Sequence, residues 1–186
     1  MNKRILIIPA VFLLYCLPSA AQRFSFSTDL IGYLCLGTIN ADVSMSLSQK
    51  WSLTAGARYN PFSFLSDDPE RSYQLRQKSF SMGARMWPWH NASGWWFATK
   101  LRYQEYNMGG IISRETREGD RFGAGIYSGY THMLSTHLNI EFGVGLWSGI
   151  DFYRKYSCPS CGLTLESGKG IFFLPDDIMI SLAYVF

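Results

Sequence analysis

The sequence predicts an all-β fold, an eight-stranded antiparallel up-and-down transmembrane β-barrel of a bacterial outer membrane. Three observations point there. The first residues read as an export leader, the chain after them breaks into segments alternating at period two, and the last segment is an apolar strand ending on an aromatic residue.

The leader comes first. Lys3 and Arg4 supply a positive start, Ile5 to Leu17 form an apolar run, and Pro18-Ser19-Ala20-Ala21 offers a small-residue cleavage site. Residues 1–21 are therefore expected to be a signal peptide, cut before Gln22, and residues 22–186 an outer-membrane β-barrel domain. The apolar run is too short for a spanning helix, and no stop-transfer segment follows. Tyr15 before Cys16 argues against a lipoprotein.

Eight segments follow: Phe24 to Leu36, Asn40 to Ser48, Trp51 to Asn60, Tyr73 to Trp87, Trp95 to Tyr106, Arg121 to Thr131, Thr136 to Tyr153 and Phe172 to Phe186. In the third, Trp51, Leu53, Ala55, Ala57 and Tyr59 oppose Ser52, Thr54, Gly56, Arg58 and Asn60. In the seventh, Leu138, Ile140, Phe142, Val144 and Leu146 oppose Asn139, Glu141, Gly143 and Gly145. Such segments match the length of a tilted membrane strand, roughly 9–11 residues. A soluble lipocalin-like barrel has the same period with its faces exchanged. The polar faces here are rich in Ser, Thr and Gly, and the apolar faces end in aromatics, which favours the membrane assignment. In the last segment Ile178, Ile180, Leu182, Tyr184 and Phe186 share one face. The terminal aromatics Tyr184 and Phe186 look like the signal read by the barrel-insertion machinery.

Composition agrees. The chain is 47% hydrophobic, 16% aromatic and only 17% charged, below the roughly 25% charge of soluble domains. After the leader no stretch approaches the ~20 apolar residues of a spanning helix, so a membrane fold must be a closed barrel. A net charge of +3 gives no reason to expect nucleic acid.

Connectors alternate in length. Gln49-Lys50, Pro88 to Gly94 and His132 to Ser135 are short. Pro61 to Ser72, Asn107 to Asp120 and Arg154 to Ile171 are long and carry Asp67, Asp68, Glu70, Arg71, Arg114, Glu115, Arg117, Glu118 and Asp120. Short periplasmic turns and longer, charged outer loops are the outer-membrane pattern. Cys158 and Cys161 sit in the last long connector, where an exported protein is expected to form a local disulfide. Zinc would need further ligands, and no second Cys/His pair stands nearby.

Several stretches carry a family resemblance: Lys50-Trp51-Ser52-Leu53 leading to Tyr59-Asn60-Pro61-Phe62, Arg85-Met86-Trp87-Pro88-Trp89, Gly94 to Phe97 leading to Tyr106-Asn107-Met108-Gly109-Gly110-Ile111, Ser128-Gly129-Tyr130, and Asn139-Ile140-Glu141. In this order they resemble the outer-membrane barrel family described as domain of unknown function 3575, known mainly from Bacteroidetes and similar to small OmpA/OmpX-type barrels. Leu174-Pro175-Asp176-Asp177 departs from the Gly-Pro-Thr-Lys-like run that the family often has there. The resemblance implies an eight-stranded barrel, with some members linked to fimbrial or surface-assembly proteins.

The polar faces place Arg58, Arg85, Lys100, Arg102 and Glu141 in the lumen. Buried charges must be paired, so Glu141 is expected among these cations as a structural plug. An eight-stranded barrel is just wide enough for side chains to fill it. Trp87, Trp89, Trp95 and Trp96, around one short turn, are expected to form an aromatic girdle. His90, His132 and His137 all fall in or beside short turns, and no G-x-S-x-G motif occurs. No catalytic, cofactor or metal residues are assigned. The expected function is non-enzymatic, through outer loops in partner binding, surface or fimbrial assembly, or envelope structure. The expected partners are outer-membrane lipids, the insertion machinery and other surface proteins. The competing function is an outer-membrane enzyme modifying lipid acyl chains.

Overall fold

The computed structural model describes residues 24–34, 37–65, 72–109, 115–157 and 164–186. The expected leader, Cys35, and the expected Cys158–Cys161 disulfide lie outside the described residues. The order of elements is β1 (Phe24–Asp29), α1 (Leu30–Leu34), β2 (Ile39–Ser46), β3 (Trp51–Asn60), β4 (Ser63–Leu65), β5 (Ser72–Met86), β6 (Gly94–Gly109), β7 (Thr116–Met133), β8 (Leu138–Tyr156) and β9 (Thr164–Val185).

Successive strands pair antiparallel, except that β3 pairs with β5 rather than with β4, and β9 returns to β1, which closes the barrel. Short β4 pairs with the start of β5 and prolongs the wall above β3, so the barrel has eight staves. Following ladder partners once round from Ala183, through Ser27, Asp42, Gly56, Ser81, Arg102, Gly123 and Gly149, returns to β9 at Phe172. That displacement is the stagger that tilted, closed strands require.

Burial follows the pleat. On β6, Trp96, Ala98, Lys100, Arg102, Gln104 and Tyr106 are buried, while Trp95, Phe97, Leu101 and Tyr103 are exposed. On β3, Ser52, Thr54 and Asn60 are buried while Trp51, Leu53 and Tyr59 are exposed. The barrel is thus apolar outside and largely polar inside. No helix among the described residues is long and apolar enough to cross a membrane.

Three expectations need correction. The first segment is not one strand to Leu36. β1 stops at Asp29, whose Oδ1 accepts from Ile31 N at 3.2 Å and so caps a five-residue helix. The helix closes through Gly37 N to Tyr33 O, with Gly37 at φ +74°, the left-handed position that glycine favours. The charged connectors are also shorter than expected. Arg117, Glu118 and Asp120 belong to β7, Arg154 and Lys155 to β8, and Glu166 and Lys169 to β9. There the alternation is carried by charges, which the apolar pattern could not reveal, and cross-strand pairs such as Lys155–Glu166 at 2.9 Å support the ladders.

Third, the tryptophans do not form one girdle. Trp89 and Trp95 are exposed, but Trp87 and Trp96 are buried in the lumen. Neighbours on a strand point to opposite faces, so Trp95 and Trp96 must part. Room for Trp96 comes from Gly129 and Gly143, where an added Cβ would collide with its ring.

Candidate functional site

Among the described residues the lumen gathers buried charged side chains from several strands, organised in layers. Nearest the end that holds Phe24 and Phe186, Arg85 from β5 meets Glu141 from β8. Nη1 of Arg85 donates to both carboxylate oxygens at 3.0 Å, and Thr131 Oγ1 donates to Oε1 at 3.3 Å. The two side chains are 8% and 6% exposed. The Arg85 guanidinium lies 4.2 Å from the Trp96 ring centroid and 5.4 Å from that of Trp87. An ion pair sealed by aromatic faces is held in a low-dielectric setting, where its attraction is strong and its loss costly.

The middle layer holds Lys100 and Arg102 from β6. Lys100 Nζ sits 3.5 Å from Asp42 Oδ1 of β2 and 5.2 Å from the Tyr127 ring. Arg102 lies 5.1 Å from the Trp147 ring. Gly145 leaves the space that the Tyr127 ring fills.

The far layer is centred on Asp151 of β8, which is 1% exposed. Arg117 Nη2 donates to Oδ2 at 2.9 Å, Arg121 Nε lies 3.3 Å from the same oxygen, and Tyr106 Oη donates to Oδ1 at 2.8 Å. Arg121 stacks on Tyr106 at 3.9 Å and Arg117 on Tyr153 at 4.1 Å. These layers separate two vestibules. One, of about 310 Å³, is lined by Ser25, Ser44, Ser46 and Asn139 above the Arg85–Glu141 pair. The other, of about 790 Å³, lies at the opposite end beside Asn60, Gln77, Tyr106 and Tyr153.

Of the charges assigned to the lumen by sequence, Arg85, Lys100, Arg102 and Glu141 are buried and Arg58 is half-buried. The Glu141 carboxylate pairs with Arg85, while Lys100 pairs with Asp42. Asp42, Asp151, Arg117 and Arg121 were missed. Asp42 lay on the Asn40–Ser44 polar face, and Asp151 and Arg121 on prolonged alternations of β8 and β7, so extending the pattern would have found them.

Near the end of the described β8–β9 ladder, Lys155 and Glu166 set each other's titration. The hydrogen bond from Lys155 lowers the Glu166 carboxyl, and the same bond raises the Lys155 ammonium. His137 Nδ1 is 2.9 Å from Val185 O and its ring stacks on Tyr184 at 5.9 Å, so it is occupied in holding β8 to β9. The described residues contain no group of three or more His, Cys, Asp or Glu able to hold a metal. Tyr184 and Phe186 meet edge to face at 5.0 Å, and Phe186 N donates to Phe24 O at 2.9 Å.

Fold and lumen together define a class: a closed antiparallel β-barrel with an apolar exterior and a side-chain-filled, charge-paired interior. The chain belongs to the family described as protein of unknown function (DUF3575), whose model matches residues 6–186. No curated protein and no solved structure matches the chain.

Proposed function

We propose that this is a non-enzymatic outer-membrane barrel protein, exported by its leader and placed among outer-membrane lipids by the barrel-insertion machinery. It serves as a scaffold whose outer end engages other surface proteins. One observation carries the reading: the burial pattern is inverted relative to a soluble barrel. Phe80, Met82, Phe97, Leu101, Ile126 and Val144 are exposed, while Arg85, Lys100, Arg102, Glu141 and Asp151 are buried. Water would penalise that exterior, whereas hydrocarbon accepts it and admits only a barrel whose ladders close.

The layered lumen supports a scaffold over a pore. Each of Asp42, Glu141 and Asp151 is held by a cation, and Trp96, Tyr127 and Trp147 fill the space between. Cell fractionation tests the placement: the protein should follow the outer membrane and migrate differently on gels before and after heating. Recovery in the soluble periplasmic fraction would sink the reading. In planar bilayers the purified protein should give no discrete conductance, and reproducible unitary steps would overturn the plugged lumen.

A further inference from the structure

The barrel wall is uneven. β9 runs from Thr164 to Val185, but β1 accompanies it only from Ser181 to Val185. Above Ser181 no described strand pairs with that side of β9. The helix α1 packs there against β9 and β2 but cannot extend the ladder.

The direction of the free groups can be read off. Below the irregularity, Phe186 N and Ile180 N point toward β1, reaching Phe24 O at 2.9 Å and Asp29 Oδ1 at 3.1 Å, while Val185 N points toward β8 and His137 O. A register shift then pairs Val144 with Ile178 but Leu146 with Pro175, so β9 carries one extra residue there. An extra residue reverses the alternation. The burial agrees: Phe172 is buried while Ile171 is 89% exposed and Phe173 68%. Phe172 O accepts from Ser148 Oγ of β8 at 2.8 Å. Lys169, Ile171 and Phe173 therefore turn their N–H and C=O groups away from β8, to the open side.

The edge is blunted in one stretch and open in another. Ile180 N is taken by the Asp29 carboxylate, and Pro175, at the next edge position above the shift, has no N–H. Proline and a substituting side chain are how natural sheets close an edge. Above Pro175 the edge has donors and acceptors at every second residue, flanked by exposed Leu165, Ile171 and Phe173.

We propose that the β9 edge from Lys169 to Phe173 is a β-augmentation site for an extended strand of another polypeptide, with apolar side chains alternating beside Ile171 and Phe173. The inference rests on the outer-membrane scaffold reading and names its docking edge. Backbone donors and acceptors in a row select a peptide, since an acyl chain satisfies none of them. A second copy is excluded by symmetry. Pairing β9 antiparallel with its own copy needs a two-fold axis across the sheet, which would turn one barrel upside down in the membrane. An axis along the membrane normal makes the two tilted strands cross.

Residue-resolved amide exchange of the full protein in detergent micelles tests this. The probe is a synthetic peptide of alternating valine and threonine, compared with the same peptide N-methylated at alternate positions. Without peptide, the amides of Lys169, Ile171 and Phe173 should exchange fast and that of Phe172 slowly. The unmethylated peptide should slow the three edge amides about tenfold or more, and peptide methylated on its pairing edge should not. Ile171→Pro should weaken binding by about tenfold without lowering the melting temperature, because the lost N–H faces away from β8. Edge amides that are slow without peptide would overturn the proposal, as would no slowing at millimolar peptide or equal effects of the two peptides. Recovery of the protein as soluble would instead sink the membrane reading and leave the exchange result to judge the edge.

Discussion

The wall from β5 to β8 and the seam where β9, β1 and β2 meet are built from the same kinds of residues to different ends. Across the wall, ladders run unbroken from Gln74↔Gly109 to Met86↔Phe97 and from Thr116↔Tyr156 to Met133↔Asn139. Inside it, Arg85, Lys100, Arg102 and Arg121 each lie against an aromatic ring. At the seam, β1 has only six residues, α1 replaces its continuation, and β9 is irregular opposite Gly145. In the wall the ladder and the buried ion pairs reinforce each other. At the seam a single carboxylate, Asp29, ends a strand, caps a helix and occupies an edge donor. The two meet at one level: the β9 segment left with an open edge, Lys169 to Phe173, is held on its other side by the β8 residues around buried Asp151.

The largest effect is expected at Asp151. Asp151→Ala strands Arg121 and the Tyr106 hydroxyl in the lumen, while the more exposed Arg117 can turn to solvent, and should cost about 4 kcal/mol in reversible unfolding from detergent or lipid. A loss comparable to that of a surface substitution would mean that water reaches this layer, which would undo the contrast between wall and seam.

Glu141→Ala should follow at about 3–4 kcal/mol, since Arg85 keeps its charge between Trp96 and Trp87. The double variant Arg85→Met, Glu141→Leu should recover most of that loss, because it removes the charge along with its partner. Failure of the double variant to recover would show that Arg85 acts mainly by packing on the tryptophans.

Much of this was legible in the sequence. β3 begins and ends where the alternation said, from Trp51 to Asn60, because there every second residue is apolar and faces outward. The lumen placement of Arg85, Lys100, Arg102 and Glu141 followed from the same period. Pairing did not: which carboxylate meets which cation depends on ladder register, and a one-residue slip would exchange the faces. Asp42 reaches Lys100 from across the lumen, a relation that no spacing along the chain encodes. The seam was hidden because Leu30, Ile31 and Tyr33 suit an apolar strand as well as a helix. The capping carboxylate of Asp29 decides between them.

At the seam the expected effect is smaller. Asp29→Ala removes the acceptor for Ile31 N and Ile180 N and should cost about 1–2 kcal/mol. Its mark should be local: amide exchange in α1 and at Ile180 accelerates, while β7 amides keep their protection. Asp29→Asn retains an acceptor oxygen and should restore most of both. Equal acceleration in β7 would mean that seam and wall open as one unit.

The smallest effect belongs to the exposed end of the described β8–β9 ladder. Glu166 is lowered below its ordinary carboxylate value of 4.5 by the Lys155 hydrogen bond. A depressed folded pKa contributes stability that is fully present above the unfolded value and is lost as pH falls through the folded one. Between neutral pH and roughly pH 4.5 that end should therefore hold, and below that it should loosen as Glu166 takes up a proton and Lys155 loses its acceptor. The pair is solvent-screened, so the global melting temperature should scarcely move for this reason. The readout is instead local: amide exchange at Lys155 and Glu166, corrected for intrinsic rates, should speed up on acidification. Glu166→Gln should show the faster exchange already at neutral pH and no further change on acidification. If acidification accelerates the wild-type and variant ends alike, some other carboxylate controls the hairpin. The contrast between wall and hairpin end would then not rest on the Lys155–Glu166 pair.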